Sequence, residues 1–170
     1  RLDWEGVTGR LPEGVRVIFY PKDAQGRKID TYLPAKGGEM KVPPGHYLAV
    51  IYNYDTEVVQ VKGEDSYETI MACTGNCTGL GDSETENMVW GPDNFYVATL
   101  DDVEIGKGEE LPTLEVRPKS VVTTYIFSIK TEGLKNVSSI IGSVSGMAEC
   151  YHLGKGAGLC RFAPIYCETG

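Results

Sequence analysis

The chain has 170 residues, 41% apolar and 24% charged, with 16 basic residues against 24 acidic ones for a formal charge of −8. Those numbers give one good-sized domain, or one domain with the opening of another, and a core that does not depend on disulfides; they exclude wholesale disorder. A field of that sign repels phosphate backbones, which argues against nucleic acid as a partner, and no run approaches the roughly 20 apolar residues of a membrane helix. The chain opens on Arg1 with neither an initiating Met nor an apolar signal core, so it reads as a processed or trimmed form whose targeting segment lies upstream.

Val15 to Tyr20 is β-branched and aromatic and stops at Pro21, which reads as a strand followed by a turn over Asp23 to Gly26. Ile29 to Leu33 is the returning strand, and Met40 to Val42 is a short strand ended by Pro43, Pro44 and Gly45. His46 to Asn53 carries Tyr47, Ala49 and Ile51 on one face and Leu48, Val50 and Tyr52 on the other, the pattern of a central strand covered on both sides.

Val58 to Val61 and Ser66 to Met71 predict two more strands, and the polar, Gly-rich stretch from Cys73 to Asn87 a long loop. Phe95 to Leu100, Leu114 to Arg117 and the strongly alternating run Val121 to Ile129 predict further strands. Val137 to Val144 fits a short helix or a strand. From Met147 onward the chain reads as irregular, giving a β-sandwich domain over 1–148 and a Cys-containing tail, or the start of a second domain, over 149–170. Many short strands with frequent turn signals define an all-β sandwich or barrel.

Chemistry at neutral pH has few bases to draw on, because the only histidines are His46 and His152, and each reads as structural. No nucleophile elbow, phosphate-binding loop or His-Glu-x-x-His helix is present. Carboxylate pairs such as Asp101–Asp102, Glu109–Glu110 and Glu84 with Glu86 read as solvated loop charge in so acidic a chain. The cluster from Asp82 to Asn87 lacks the spacing of a calcium loop. No cofactor, metal site or catalytic group is predicted. Asn76-Cys-Thr78 and Asn136-Val-Ser138 match the glycosylation sequon and are read as coincidence.

The five cysteines, Cys73, Cys77, Cys150, Cys160 and Cys167, favour an oxidising compartment, and their odd number leaves at least one unpaired within the chain. Cys73 and Cys77 flank a Thr-Gly-Asn turn, so a small disulfide at the root of the long loop is expected ahead of zinc, whose sites use two close pairs. Connectivity among the remaining cysteines stays open. Of the aromatics that could stack on sugars (Tyr52, Tyr54, Tyr67, Trp90, Tyr96 and Tyr151), Trp90, beside Gly91-Pro92, is the candidate ligand contact.

Leu2-Asp-Trp4, Leu11-Pro-Glu-Gly14, Val17-Ile-Phe-Tyr-Pro21, Val42-Pro-Pro-Gly-His-Tyr47 and Ile51-Tyr-Asn-Tyr-Asp-Thr56 follow one another in an order that resembles the fimbrillin-associated anchor and minor-subunit proteins of Bacteroidales. Val121 to Ala148, ending Ser-Gly-Met-Ala, resembles the later part of that family's N-terminal domain. The resemblance implies a transthyretin-like Greek-key β-sandwich, export to the cell surface, outer-membrane attachment through a lipidated cysteine upstream of Arg1, and a fimbrial anchoring or adhesive task. Its partners would be other fimbrial subunits joined by strand-edge pairing. The alternative is a surface module that binds host or microbial glycans.

Overall fold

The computed structural model describes residues 1–77, 88–108, 112–138, 140–158 and 162–168, and every regular element longer than a single turn among them is a strand. Strand β1 (Gly14–Pro21) pairs antiparallel with β2 (Ile29–Pro34) on one side and β3 (Gly45–Asn53) on the other. β4 (Val59–Lys62) and β5 (Met71–Thr74) form a separate antiparallel pair, followed by the two-residue β6 (Val89–Trp90). β7 (Tyr96–Ile105) and the short β8 (Lys119–Ser120) complete a five-stranded sheet of order β2-β1-β3-β7-β8.

The remaining strands lie where the sequence reads as open or irregular. β9 (Ile141–Ala148) resolves the helix-or-strand choice, and a single 3-10 turn, Leu134–Asn136, precedes it. β10 (Cys150–His152) and β11 (Ala157–Gly158) join β5 and β4 in a sheet of order β11-β10-β5-β4, and β12 (Phe162–Glu168) lies between β6 and β9 in a third sheet. In the stretch read as irregular or as the start of a second domain, short, weakly periodic strands therefore pair with neighbours near in sequence, β9 and β11, and with the remote β5 and β6.

Period-two alternation on β1 and β3 divides the core in two. Ile18, Tyr20, Val50 and Tyr52 point toward β4 and β5, where they meet Val59, Ile70, Ala72, Phe95 and Leu153. Val15, Val17, Phe19, Tyr47, Ala49 and Ile51 point to the opposite face, with Val103 and Val116. The expected two-sided burial of the third strand is found residue for residue, with Leu48 packed at the margin of the first cluster.

The second face is covered by connecting segments, not by another sheet. Leu2, Trp4, Met40, Val42 and Leu114 all pack on it. Trp4 Nε1 donates to the Ala35 carbonyl at 2.7 Å, and Leu2 bridges Val116 in parallel. Two predicted strands, Met40–Val42 and Leu114–Arg117, are thus corrected to straps that lie across a sheet face and need only their apolar side chains. Ser66–Met71 is corrected similarly: Ser66 to Thr69 turns, the Ser66 carbonyl accepts from Thr69 and Ile70 amides, and the strand begins at Met71.

The pairing of β3 with β7 slips between Tyr47 and Ala49, so that Asp101 and Asp102 form an extra residue's worth of strand opposite Leu48. That bulge explains why Leu100 and Val103, three positions apart, pack on the same face. It also turns the two acids outward to different partners. Asp101 accepts from the Tyr67 hydroxyl at 2.7 Å, and Asp102 accepts from Lys22 Nζ at 2.8 Å, which holds its carboxyl below the usual carboxylate value.

At one edge the two layers are clasped by Arg16. Its guanidinium makes a bidentate pair with Asp30 at 2.9 and 2.7 Å, bonds to Glu64 and to the Tyr52 hydroxyl, and lies 5.6 Å from the Tyr32 ring centre. Glu64 belongs to the β4–β5 connection, and its carbonyl also accepts from Tyr20 and Lys28, so one residue of the second sheet receives three side chains from the first.

The bond from Arg16 holds the Asp30 carboxyl below its ordinary value of 3.8. A depressed folded-state value stabilises the fold above about pH 4 and ceases to do so as pH falls through it. Arg16→Met is expected to lower stability by about 2 kcal/mol at neutral pH. The gap between it and the parent should narrow below about pH 4. Denaturant melts at pH 7 and pH 3 check this; an equal gap at both would mean that the clasp contributes through packing alone.

Candidate interaction surface and its disulfide

Cys73 and Cys150 face one another as register partners of β5 and β10, with Cα atoms 4.3 Å apart, and are joined by a disulfide that closes a 77-residue separation. The expected Cys73–Cys77 bond is corrected. Past Cys73 the chain does not turn back but continues along β6: the Gly75 carbonyl accepts from the Trp90 amide, Asn76 bridges Val89, and the Cys77 amide donates to Met88. Four extended residues span about 13 Å, well beyond the reach of a disulfide.

Cys77 is instead a buried free thiol whose ionisation is pushed up by desolvation, and Cys167 is a half-buried free one. Cys160 lies outside the described residues, as do Thr78, Glu84, Glu86, the rest of the 82–87 acidic cluster, and Glu109–Glu110.

His46 is exposed at the start of β3, where its carbonyl accepts from the Lys22 amide. His152 is buried. Its Nδ1 accepts from the Lys155 amide at 2.9 Å, which leaves Nε2 to carry the proton and donate to the Glu68 carbonyl. With both ring nitrogens engaged, His152 ties the β10–β11 turn to the β4–β5 connection. Among the described residues, no three His, Cys, Asp or Glu side chains gather in a way that would hold a metal ion.

Several large aromatic and aliphatic side chains are exposed. Of the candidate aromatics, Tyr52 and Tyr96 are buried and Tyr67 and Tyr151 half-buried, while Tyr54 stands edge-on to Tyr32 at 5.2 Å on the outer sheet edge. Trp90 is 37% exposed and packs edge-to-face on Tyr166 at 5.2 Å. Beside it a cleft of about 410 Å³ opens between the sandwich and the third sheet, lined by Val89, Gly91, Val121, Tyr125, Phe127, Met147, Ile165 and the disulfide. Trp90 flanks this cleft and does not line it. Tyr32, Tyr125, Phe127 and Tyr166 were not singled out by the sequence, because an alternating apolar run signals a buried strand and conceals which members stay uncovered.

The predicted strand Val121–Ile129 is the largest departure. It pairs with nothing among the described residues, and Tyr125, Ile126, Phe127 and Ile129 are all exposed.

Among the described residues, fold and surface together define an all-β chain, cross-linked through its second sheet by Cys73–Cys150, with exposed apolar side chains on its surface. The chain belongs to the family described as a domain of unknown function, DUF5119, whose model matches residues 1–168. It is 55% identical over 169 residues to a Bacteroides ovatus protein named "Putative fimbrium anchoring subunit Fim4B", covering 99% of this chain and 51% of that one. It also superposes with a TM-score of 0.92, at 54% identity, on the crystal structure of "a putative adhesin" from Bacteroides ovatus, covering 99% of this chain and 60% of that one. The chain therefore spans about half the length of the curated relative it matches.

The cross-link generates a direct expectation. Peptide mapping without reductant should recover Cys73 linked to Cys150, and Cys73→Ser with Cys150→Ser should lose roughly 3–5 kcal/mol of stability, the range for a loop this long. A Cys73–Cys77 peptide would contradict the assignment.

Proposed function

We propose that this chain is part of a cell-surface fimbrial subunit that anchors or adheres through protein–protein assembly. The observation that carries the reading is the 55% identity, across 99% of the chain, to a protein named for fimbrial anchoring. Likeness to a crystallised protein titled an adhesin points the same way. Binding, and not catalysis, is the task that this surface suits: strand edges and uncovered apolar side chains recognise polypeptide.

The finer features belong to the same proposal. The five-stranded sheet backed by β4, β5 and β10 suits a transthyretin-like Greek-key arrangement, and export with outer-membrane attachment through a lipidated cysteine upstream accords with the disulfide and with a fimbrial role. β2 is the edge best suited to pairing with another subunit. Among the described residues it pairs with β1 alone, is six residues long, and presents Tyr32 at 58% exposure, whereas the opposite edge, β8, has two residues.

Amides on successive residues of a strand point to opposite sides, so of Thr31→Pro and Tyr32→Pro one removes an outward donor and the other a bond to β1. The variant that keeps the parent melting temperature is expected to lose co-purification with fimbrial subunits and surface fimbriation. Normal fimbriation with that variant would remove β2 as the contact.

A second reading, recognition of glycans, draws on the half-exposed Trp90–Tyr166 pair beside the cleft. It predicts glycan-array binding that Trp90→Ala reduces at least about tenfold, since stacked aromatic contacts contribute on this order. An array without a binder would count against it.

A further inference from the structure

Charge is spread unevenly along the chain. Residues 10–41 hold seven basic residues and four acidic ones, whereas residues 42–116 hold two basic residues and fifteen acidic ones. The first stretch contains β1 and β2, so a molecule of formal charge −8 carries its basic side chains toward one edge of its main sheet.

Around β2 those side chains stand in solvent. Arg27 and Lys28 are exposed just before the strand, and Lys36 just after it. The neighbouring acids Asp30 and Glu13 are already matched: Asp30 holds Arg16 and lies 3.8 Å from Lys28 Nζ, and Glu13 holds Arg10 at 3.4 Å. The edge is therefore positive at both ends. Between those ends it offers apolar contact on either face. Ile29 and Leu33 extend the second core cluster, while Tyr32 stands edge-on to the exposed Tyr54 with the Arg16 guanidinium 5.6 Å from its ring centre. Tyrosine and arginine together are the residue types that contribute most at protein contacts.

We propose that β2 recognises an acidic strand: an extended segment of a partner protein with apolar residues at alternate positions and Asp or Glu at each end. The proposal rests on the reading of β2 as a contact between subunits and adds the chemistry of the partner. Apolar residues of that strand pair across from Ile29, Leu33 and Tyr32, and its terminal acids meet Arg27, Lys28 and Lys36. The acidic remainder of the molecule repels such a segment, which steers it to this edge.

Fluorescence anisotropy of the protein with a labelled peptide that alternates valine and threonine between paired glutamates, and with its counterpart between paired lysines, tests this. At low salt the glutamate peptide should bind at least about tenfold more tightly, the effect of several exposed ion pairs gained against several lost. The preference should fade toward 1 M salt, where the screening length is about 3 Å. Arg27→Glu with Lys36→Glu should abolish it without moving the melting temperature. Whichever of Thr31→Pro and Tyr32→Pro keeps the parent melting temperature should lose the peptide. Equal binding of the two peptides, binding of neither, or preference for the lysine peptide overturns the proposal. So does binding of the uronic-acid polymer alginate that survives the proline substitution, which assigns a polyanion and not a strand. Co-purification with fimbrial subunits is scored separately: its loss in the proline variant, with no charge preference among peptides, keeps the subunit contact and removes the acidic strand.

Discussion

The structure depends on one strand being buried on both faces. β3 gives Val50 and Tyr52 to one hydrophobic cluster and Tyr47, Ala49 and Ile51 to the other, so both core clusters are built on it. A strand so placed has no solvent face and nothing to gain from slipping register by one residue, because both faces already demand apolar side chains of particular size. What fixes its register is therefore local: the buried Asn53 at its end accepts from the Tyr96 amide and donates to Asp55 and to the Asn94 carbonyl. Asp93 then caps the start of β4 by accepting from the amides of Val58 and Val59.

With that strand set, the rest of the chain is arranged to cover it. One face takes a second sheet, held by the Arg16 clasp at one margin and by packing of Leu153 and Ile70 at its centre. The other face takes straps, which leaves the five-stranded sheet's own edges unobstructed. The disulfide lies in the second sheet and joins residues on either side of the whole β7 region, so it binds the late part of the chain to the early part. That link holds β10 seated on β5.

Much of the sandwich was legible in the sequence because β1, β2, β3 and β7 are β-branched and aromatic runs, with β1 ending at Pro21, β2 at Pro34 and β3 opening at Gly45. Three kinds of feature were not. Met40, Val42 and Leu114 are apolar because they lie on a sheet, and short apolar runs do not distinguish a strap from a strand. The cysteine pairing joins register partners 77 residues apart, so only the assembled sheet reveals it, and the local Cys73–Cys77 spacing pointed elsewhere. Val121–Ile129 shows the converse. Its pattern states that a strand is wanted there, while the presence of a neighbour is a property of the surrounding chain. At the candidate surface, Trp90, expected as a ligand contact from its position beside Gly91-Pro92, packs on Tyr166, which lies on a strand whose pattern was too short to read.

The fimbrial role proposed above requires that this fold contact fimbrial protein at the cell surface. Chemical cross-linking of intact fimbriated cells, followed by mass spectrometry, addresses it most directly, because Lys36 stands exposed just beyond the end of β2. Cross-links from Lys36 to fimbrial subunits are expected in fimbriated cells. Recovery of the chain with cross-links only within itself, from cells whose fimbriae are intact, would contradict it.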